Sequence, residues 1–288
     1  MRHLPLIASA ALCLVVPVLG QQQEAAQQPQ RPGVQVGVPD GRGGAPAPPG
    51  RGRQAGPPQP PPRNAAGRVL LGGATPKQKN GVWLPGGTPV TQANMKEIPW
   101  QPWARGVVAD RDANELEPHT RCKPSGVTRP FLTPYGVEIV ELQELQRVYI
   151  FDIGGPHTYR TVYMDGRSHP QNVAPTYYGH SIGWWEGDSL VIDTVGFNEG
   201  FWLDRLGSPH TDRLHTLERL TRTDLNVMQY EVTIDDPGAY TKTWKSGFNL
   251  RWDPNVELFE YMCQQANYAH ELMLGLHDAV DRRSPIIP

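Results

Sequence analysis

The feature that most constrains the fold is a run of short segments rich in β-branched and aromatic residues. It begins at Val137 and ends at Cys263, and turn signals such as GGPHT, DGRSHP and DDPGAY separate its segments. No helical pattern intervenes, so the run predicts antiparallel strands in a mainly β fold. The segments are VEIVEL, QRVYIFDI, YRTVYMD, HSIGWW, SLVIDTVGF, LHTLERLTR, NVMQYEVTID, YTKTWKSGFNLRW and VELFEYMC.

Residue alternation within these strands predicts one buried face and one wet face. In NVMQYEVTID, apolar or aromatic side chains stand at every second position from Met228 to Ile234, with polar side chains between them. In YTKTWKSGFNL, the aromatic residues Tyr240, Trp244 and Phe248 share one parity. An antiparallel meander with one aromatic-rich face predicts a barrel or a strongly curved sheet around an interior.

The chain divides by composition into three parts. Residues 1–20 have a basic start, an apolar run and a small-residue end, which are typical of a cleaved signal peptide. Residues 21–68 are rich in Gln, Pro and Gly and nearly lack aliphatic side chains, so they predict a disordered linker. Residues 69–288 can form one β-rich domain with a full core. Short helices are expected to flank its strands, at residues 102–115 and at about 268–282.

Export and charge limit the class of partner. A signal peptide predicts a periplasmic or secreted protein, and its apolar run is too short for a transmembrane segment. An oxidising compartment favours a disulfide between Cys122 and Cys263, the two cysteines left after cleavage, with two separate buried thiols as the alternative. A net charge of −2 does not favour nucleic acid as a partner. We expect a small-molecule ligand or substrate, and the oligomeric state is left open.

The stretch GHSIGWWEGDSLVIDTVGF predicts a hairpin whose turn decides where His180 points. A two-residue Glu-Gly turn would place His180 opposite Asp193 and would mix apolar with polar residues on both faces. A three-residue loop, with Gly187 in the left-handed conformation, would place His180 opposite Ile192 on an apolar face. We favour the second register, which turns His180 inward.

Histidine, acid and arginine residues cluster in the loops that flank this hairpin, DGRSHP before it and FWLDRLGSPHTDRLH after it. A histidine that is held by a carboxylate, with an arginine to balance a substrate anion, is suited to general acid–base catalysis. A salt-bridged loop cluster that closes one barrel end is the alternative interpretation. The predicted catalytic residues are His180, His169, Asp165, Asp204 and His210, and the predicted substrate-binding residues are Arg167, Trp184, Tyr230, Trp244 and His215.

Each predicted catalytic residue has a role in this hypothesis. His180 or His169 is expected to act as the base. Asp165 or Asp204 would orient that base, and Arg167 would face an anionic group of the substrate.

The sequence predicts no cofactor, because it lacks an HExxH or phosphate-loop motif. A divalent metal such as zinc is the alternative. His210 and His215 could bind it, with His169 or His180 as a third ligand and one position left open. Their spacing belongs to no common metal motif.

The chain resembles a widespread uncharacterised family of exported bacterial proteins, over about residues 98–267. The motifs that carry the resemblance are CKPSG, DGRSHP, GHSIGWWEGDSLVIDTVGFN, WLDRLGSPHTDRLHTLER, VTIDDPGAYTKTW and ELFEYMC. The resemblance implies export and no particular activity. In addition, the G-x-W-x-G-D hairpin within a meander resembles the small antiparallel barrels of lipocalin-like proteins, which implies a lipocalin-like barrel and leaves function open.

Three functions fit these observations. We favour an exported acid–base enzyme, a hydrolase, lyase or isomerase, acting on a small molecule in the barrel interior. The alternative is a lipocalin-like protein that binds a small molecule or lipid without catalysis. A structural protein of the cell envelope is the third. In the binding alternative the interior would be lined by Trp184, Tyr230, Trp244 and Phe248.

Overall fold

Nine strands close into a barrel within the part of the chain that the computed structural model describes, residues 58–73, 81–91, 97–115, 117–260 and 263. Their order around the barrel is their order along the chain. This confirms the predicted mainly β fold with a lipocalin-like barrel. The strands are β1 (Val82–Thr91), β2 (Val137–Leu142), β3 (Arg147–Asp152), β4 (Tyr159–Tyr163), β5 (His180–Glu186), β6 (Ser189–Val195), β7 (His215–Arg222), β8 (Val227–Asp235) and β9 (Trp244–Asp253).

Short helices flank the barrel. The α-helix α1 spans Pro102–Asn114 and confirms the helix expected at residues 102–115. Its first residue is a proline, which is tolerated there because the first-turn N–H has no helical partner. Three 3-10 helices follow, at Pro118–Arg121, Arg129–Leu132 and Gln143–Leu145. The predicted signal peptide, the linker as far as residue 57 and the helix expected at about 268–282 lie outside the described residues.

The first strand, β1, is one that its sequence does not predict. VWLPGGTPVT carries two prolines and a Gly-Gly pair, which are turn signals. The strand pairs with β9 through a register shift between Pro85 and Pro89, and with β2 through Trp83 and Val137. Such irregularities let prolines stand in a sheet. Because β1 pairs with β9 and closes the barrel, no strand edge is left for VELFEYMC to pair with. The strand predicted there is wrong at residues 256–260.

The strands β4 and β5 are parallel, whereas the other neighbouring strands described are antiparallel. Tyr163 of β4 lies beside Ile182 of β5. A parallel pair needs a connection that returns to the end where the first strand began. Residues 164–179, which we call the crossover, make this return, and Thr176 pairs with Phe197 along the way. The crossover carries the DGRSHP loop past the outer wall of the barrel.

Large side chains occupy the barrel interior. Phe131, from the second 3-10 helix, stacks on Tyr230 with ring centroids 4.5 Å apart. Buried aliphatic side chains surround this pair, among them Leu190, Ile192, Leu220, Met228 and Leu250. The interior also encloses an ion pair between Arg160 and Glu218, which are 3% and 0% exposed.

This ion pair belongs to a group that we call the enclosed network. Both Nη atoms of Arg160 donate to the Glu218 carboxylate, with Nη1 3.1 Å from Oε1. Arg160 Nε donates to Ser181 Oγ at 2.9 Å, and Nη2 donates to Thr194 Oγ1 at 2.8 Å. The Tyr230 hydroxyl donates to Glu218 Oε1 at 3.0 Å. Such partners are required because burying a charge costs several kcal/mol unless it is paired and hydrogen-bonded.

The segment 58–73 packs against the barrel before β1 begins. Arg63 pairs with the exposed Asp188 at 2.6 Å. The guanidinium of Arg222 donates to the carbonyl of Leu70 at 2.8 Å. The last residues of the predicted linker therefore lie in a segment that contacts the barrel.

A disulfide joins Cys122 to Cys263, with the two Cα atoms 5.6 Å apart. This confirms the predicted pairing and is compatible with export to an oxidising compartment. Among the described helices, none is both long enough and apolar enough to cross a membrane.

Candidate functional site

The β5–β6 hairpin turns at Gly187 and Asp188, one residue later than the predicted two-residue turn. His180 therefore pairs with Val195. Gly187 has a φ of +61°, which suits the first position of a two-residue hairpin turn. Both predicted registers are wrong, because both the two-residue turn and the three-residue loop ended at Gly187, whereas the observed turn includes Asp188.

In the observed register, His180 lies half-buried on the outer face of the barrel. Its neighbour Ser181 is fully buried and points inward beside Thr194. The predictions that His180 and Trp184 face the interior are therefore wrong. The physical reason is that Ile182 and Trp184 also point outward, so this outer face is apolar enough to look like an inner one in the sequence.

Four polar side chains from four elements meet on the outer wall, and we call them the wall cluster. His169 comes from the crossover, His180 from β5, Asp193 from β6 and His215 from β7. The Nδ1 atoms of His169 and His180 are 2.8 Å apart. Asp193 Oδ1 lies 3.3 Å from His169 Nε2 and 2.8 Å from His215 Nε2. The crossover thus brings one predicted catalytic histidine to another.

The contacts of the wall cluster determine where its protons lie. A carboxylate can only accept, so the ring nitrogens of His169 and His215 that face Asp193 carry hydrogen. Neutral His169 then has its lone pair on Nδ1, and His180 must donate to it from its own Nδ1. This leaves the Nε2 of His180 with a lone pair. His180 is thus the outer end of a hydrogen-bond chain that runs through His169 to Asp193, and its Nε2 can accept a proton.

Tyr163 and Arg167 complete the surroundings of this base. The Tyr163 ring stacks on His180 with centroids 5.2 Å apart, and the Arg167 guanidinium lies 4.1 Å from the Tyr163 centroid. Burial lowers the pKa of His180, and the positive charge of Arg167 lowers it further. His180 is therefore neutral at pH 7 and able to accept a proton.

The two acids predicted to orient the base have other partners. Asp165 accepts from Arg167 Nε at 2.8 Å, and this hydrogen bond lowers the pKa of Asp165 to about 2. Asp204 lies in the loop after β6, where it accepts from the hydroxyl of Ser208 at 2.7 Å. The carboxylate that contacts the histidines is Asp193 instead.

The remaining predicted residues lie apart from the wall cluster in their contacts. His210 is fully enclosed, with Nε2 3.1 Å from the Phe201 carbonyl and Nδ1 3.3 Å from the Thr211 carbonyl. Burial lowers its pKa to about 4. Tyr230 belongs to the enclosed network, and Trp244 is half-buried at the start of β9.

The described side chains include no group of three or more His, Cys, Asp or Glu residues placed to hold a metal ion. Both ring nitrogens of His210 face backbone carbonyls, so the zinc set that pairs His210 with His215 is not assembled.

Asp193 was missed because the favoured register placed it on the face opposite His180. The signal was present in the sequence, since the rejected register placed the two residues directly opposite each other. Although that register is also wrong, it shares the observed parity, so it puts the same residues on the same face.

A second group of polar side chains, the loop cluster, was missed altogether. Arg129 Nε and Nη2 each donate to Glu117 at 2.9 Å, and Glu117 Oε1 lies 3.1 Å from His119 Nδ1. Nearby, burial raises the pKa of Asp152 to about 6, while hydrogen bonds and the charge of Arg129 oppose the rise. Burial also lowers the pKa of His119. The one sequence signal is the EPH tripeptide, an acid and a histidine two residues apart.

The chain matches no protein-family model, no curated protein and no solved structure. The β-barrel is compatible with small-molecule binding. Any more specific function has to be argued from the geometry of the site.

Proposed function

We propose that the protein is an exported acid–base enzyme that acts on a small molecule at the outer wall of the barrel, with His180 as its general base. The observation that carries the proposal is the hydrogen-bond chain from His180 through His169 to Asp193. A neutral histidine backed by a carboxylate is suited to take a proton near pH 7. Hydrolases, lyases and isomerases all use this step.

In the proposed reaction, a substrate proton binds the Nε2 of His180. The resulting imidazolium donates from Nδ1 to His169, whose Nε2–H faces the carboxylate of Asp193. The negative charge of Asp193 therefore stabilises the positive charge that forms on His180, as in other carboxylate–histidine pairs. The same proton can return to a leaving group or to another substrate atom, so His180 serves first as base and then as acid.

Arg167 and Tyr163 support the proposal as positioning groups. Asp165 engages Nε and Nη2 of Arg167, and no hydrogen bond within the described residues engages Nη1. An anionic group of the substrate would pair with this Nη1. Tyr163 stacks on His180 and thereby holds the plane of the imidazole.

The packing of the barrel supports the outer wall over the interior as the place of reaction. Phe131 and Tyr230 stack where the sequence predicted an apolar ligand, and the charges beside them are already paired within the enclosed network. A carrier with its ligand in the interior would require Phe131 to move out.

The proposal is tested by turnover assays on the mature protein with a panel of small esters, lactones and hydroxy acids. We expect His180→Gln to lower kcat by about 100-fold or more on any substrate that is turned over, because it removes the base. The matched control is His157→Gln, a histidine outside the wall cluster, which should keep full activity. A folded His180→Gln protein with wild-type kcat would contradict the proposal.

A further inference from the structure

A groove of about 220 Å³ opens at the end of the barrel where β2 leads into β3, and we call it the mouth groove. Its apolar floor is formed by Val148, Met164 and Trp185. Arg68 and Arg147 stand at its rim. An apolar floor with a few polar groups at its edge is the usual composition of a small-molecule site, and barrel mouths are a common place for one.

One of the two rim cations is already neutralised. Arg68 donates to Glu141 at 2.7 Å, and its guanidinium lies 4.6 Å from the centre of the Trp185 ring. Glu141 also accepts from the backbone N–H of Leu71 at 2.7 Å. These contacts hold Arg68 against the Trp185 ring, and its charge is already paired with Glu141.

The other cation, Arg147, has no carboxylate partner within the described chain. Its closest hydrogen-bond acceptor is the Tyr149 hydroxyl, 3.5 Å from Nη1. Arg167 acts on it as a second positive charge, and both guanidinium groups lie near the Tyr163 ring. An uncompensated guanidinium beside an apolar floor attracts an anion, and carboxylates match its geometry by accepting two parallel hydrogen bonds.

The backbone beside the groove joins one of its walls to its floor. Gln146 has a φ of +48°, in the left-handed region that glycine usually occupies. Its carbonyl accepts from the backbone N–H of Met164 at 2.9 Å, which joins the tight turn before β3 to the groove floor. Glycine would relieve this strain, whereas glutamine keeps an amide side chain on the groove wall.

We propose that the mouth groove binds a small, flat apolar molecule that carries one carboxylate. The carboxylate pairs with Arg147, and the apolar body lies on Met164 and Trp185. This site adjoins Tyr163 and Arg167 but uses neither His180 nor Asp193, so neither proposal depends on the other.

Calorimetric titration with benzoate tests the proposal, with benzyl alcohol as the matched neutral probe. We expect wild-type protein to bind benzoate at least 10-fold more tightly than benzyl alcohol, and Arg147→Gln to abolish this difference. The control Arg251→Gln removes an exposed arginine that pairs with Asp253 away from the groove, and it should leave both affinities unchanged.

One further readout locates the ligand. Benzoate should shift the indole N–H resonance of Trp185, assigned by its loss in Trp185→Phe. The proposal is overturned if benzoate shows no binding up to about 10 mM, a weak limit even for fragments. It is equally overturned if Arg147→Gln binds benzoate as wild type does, or if benzoate leaves the Trp185 resonance in place.

Discussion

Polar residues on the inner and outer faces of the same strands differ in their burial and in their hydrogen bonds. On the inner face, Arg160 and Glu218 are enclosed, and their hydrogen bonds go to other protein groups. On the outer face, His180, Asp193 and His215 are partly exposed. The two charges of the inner group are already paired with each other, whereas the outer group has ring nitrogens that are not engaged.

Neighbours in sequence fall into these two groups. His180 and Asp193 belong to the wall cluster, and the residues that follow them, Ser181 and Thr194, belong to the enclosed network. The comparison teaches that charged residues in a strand do not indicate function by themselves. Whether their hydrogen-bonding capacity is already used decides between a structural and a chemical role.

The largest effect is expected on the inner face. Glu218→Gln keeps the shape of the side chain and removes its charge, which leaves Arg160 buried without a counter-ion. We expect the free energy of unfolding to fall by about 3–5 kcal/mol, measured by urea denaturation at pH 7. The double variant Arg160→Met with Glu218→Leu is the control, because it removes both charges and should recover most of the loss. A Glu218→Gln protein as stable as the wild type would contradict the structural role of the Arg160–Glu218 pair.

An enclosed histidine should affect stability where a wall histidine does not. The pKa of His210 is lowered from 6.5 to about 4, so its neutral form stabilises the fold fully above pH 6.5. That stability is lost as the pH falls from 6.5 toward 4, because His210 binds a proton in the unfolded chain but stays neutral in the folded chain. We expect a loss of about 3 kcal/mol, absent in His210→Gln. Equal slopes of unfolding free energy against pH in the two proteins would show that His210 is not buried as described.

Asp152, which lies near Arg129 of the loop cluster, should act in the opposite direction. Its pKa is raised from 3.8 to about 6, so its contribution to stability is complete below pH 3.8 and is lost as the pH rises through 6. We expect Asp152→Asn to gain up to about 3 kcal/mol relative to wild type between pH 4 and pH 7. Chemical denaturation at both values measures it. An unchanged difference between the two proteins across this range would contradict the assignment.

The smallest effect on stability is expected on the outer face. Asp193→Asn alters a partly exposed group, so the free energy of unfolding should change by less than about 1 kcal/mol. Denaturation at pH 7 checks this alongside Glu218→Gln. A loss as large as that of the inner variant would mean that the wall cluster is structural.

Most of the barrel could be predicted because its strands alternate in the ordinary way. NVMQYEVTID became β8 with Met228 and Tyr230 inside, and α1 formed where it was expected. β1 could not be predicted, because its prolines are tolerated only through pairing irregularities that tertiary contacts create. The parallel β4–β5 pair likewise depends on how the crossover packs, which no local pattern records.

The candidate site could be predicted in part. His169, His180 and His215 were all named from their company of acids and arginines, and the structure brings them together. Their position on the outer wall was missed because Trp184 makes the outer face of β5 look apolar. Asp193 was missed for the same reason, since a register that is wrong by an odd number of residues assigns each side chain of a strand to the opposite face.

The central claim is that His180 is a general base, and the position of the proton on its ring tests this claim most directly. Long-range ¹H–¹⁵N correlation spectra of the mature protein at pH 7 report which ring nitrogen carries the proton. We predict a proton on Nδ1 and a lone pair on Nε2 in the wild type. In Asp193→Asn this preference should be lost, because an amide can donate to His169 as well as accept from it. A His180 ring protonated on Nε2 in the wild type, or unchanged by Asp193→Asn, would contradict the account.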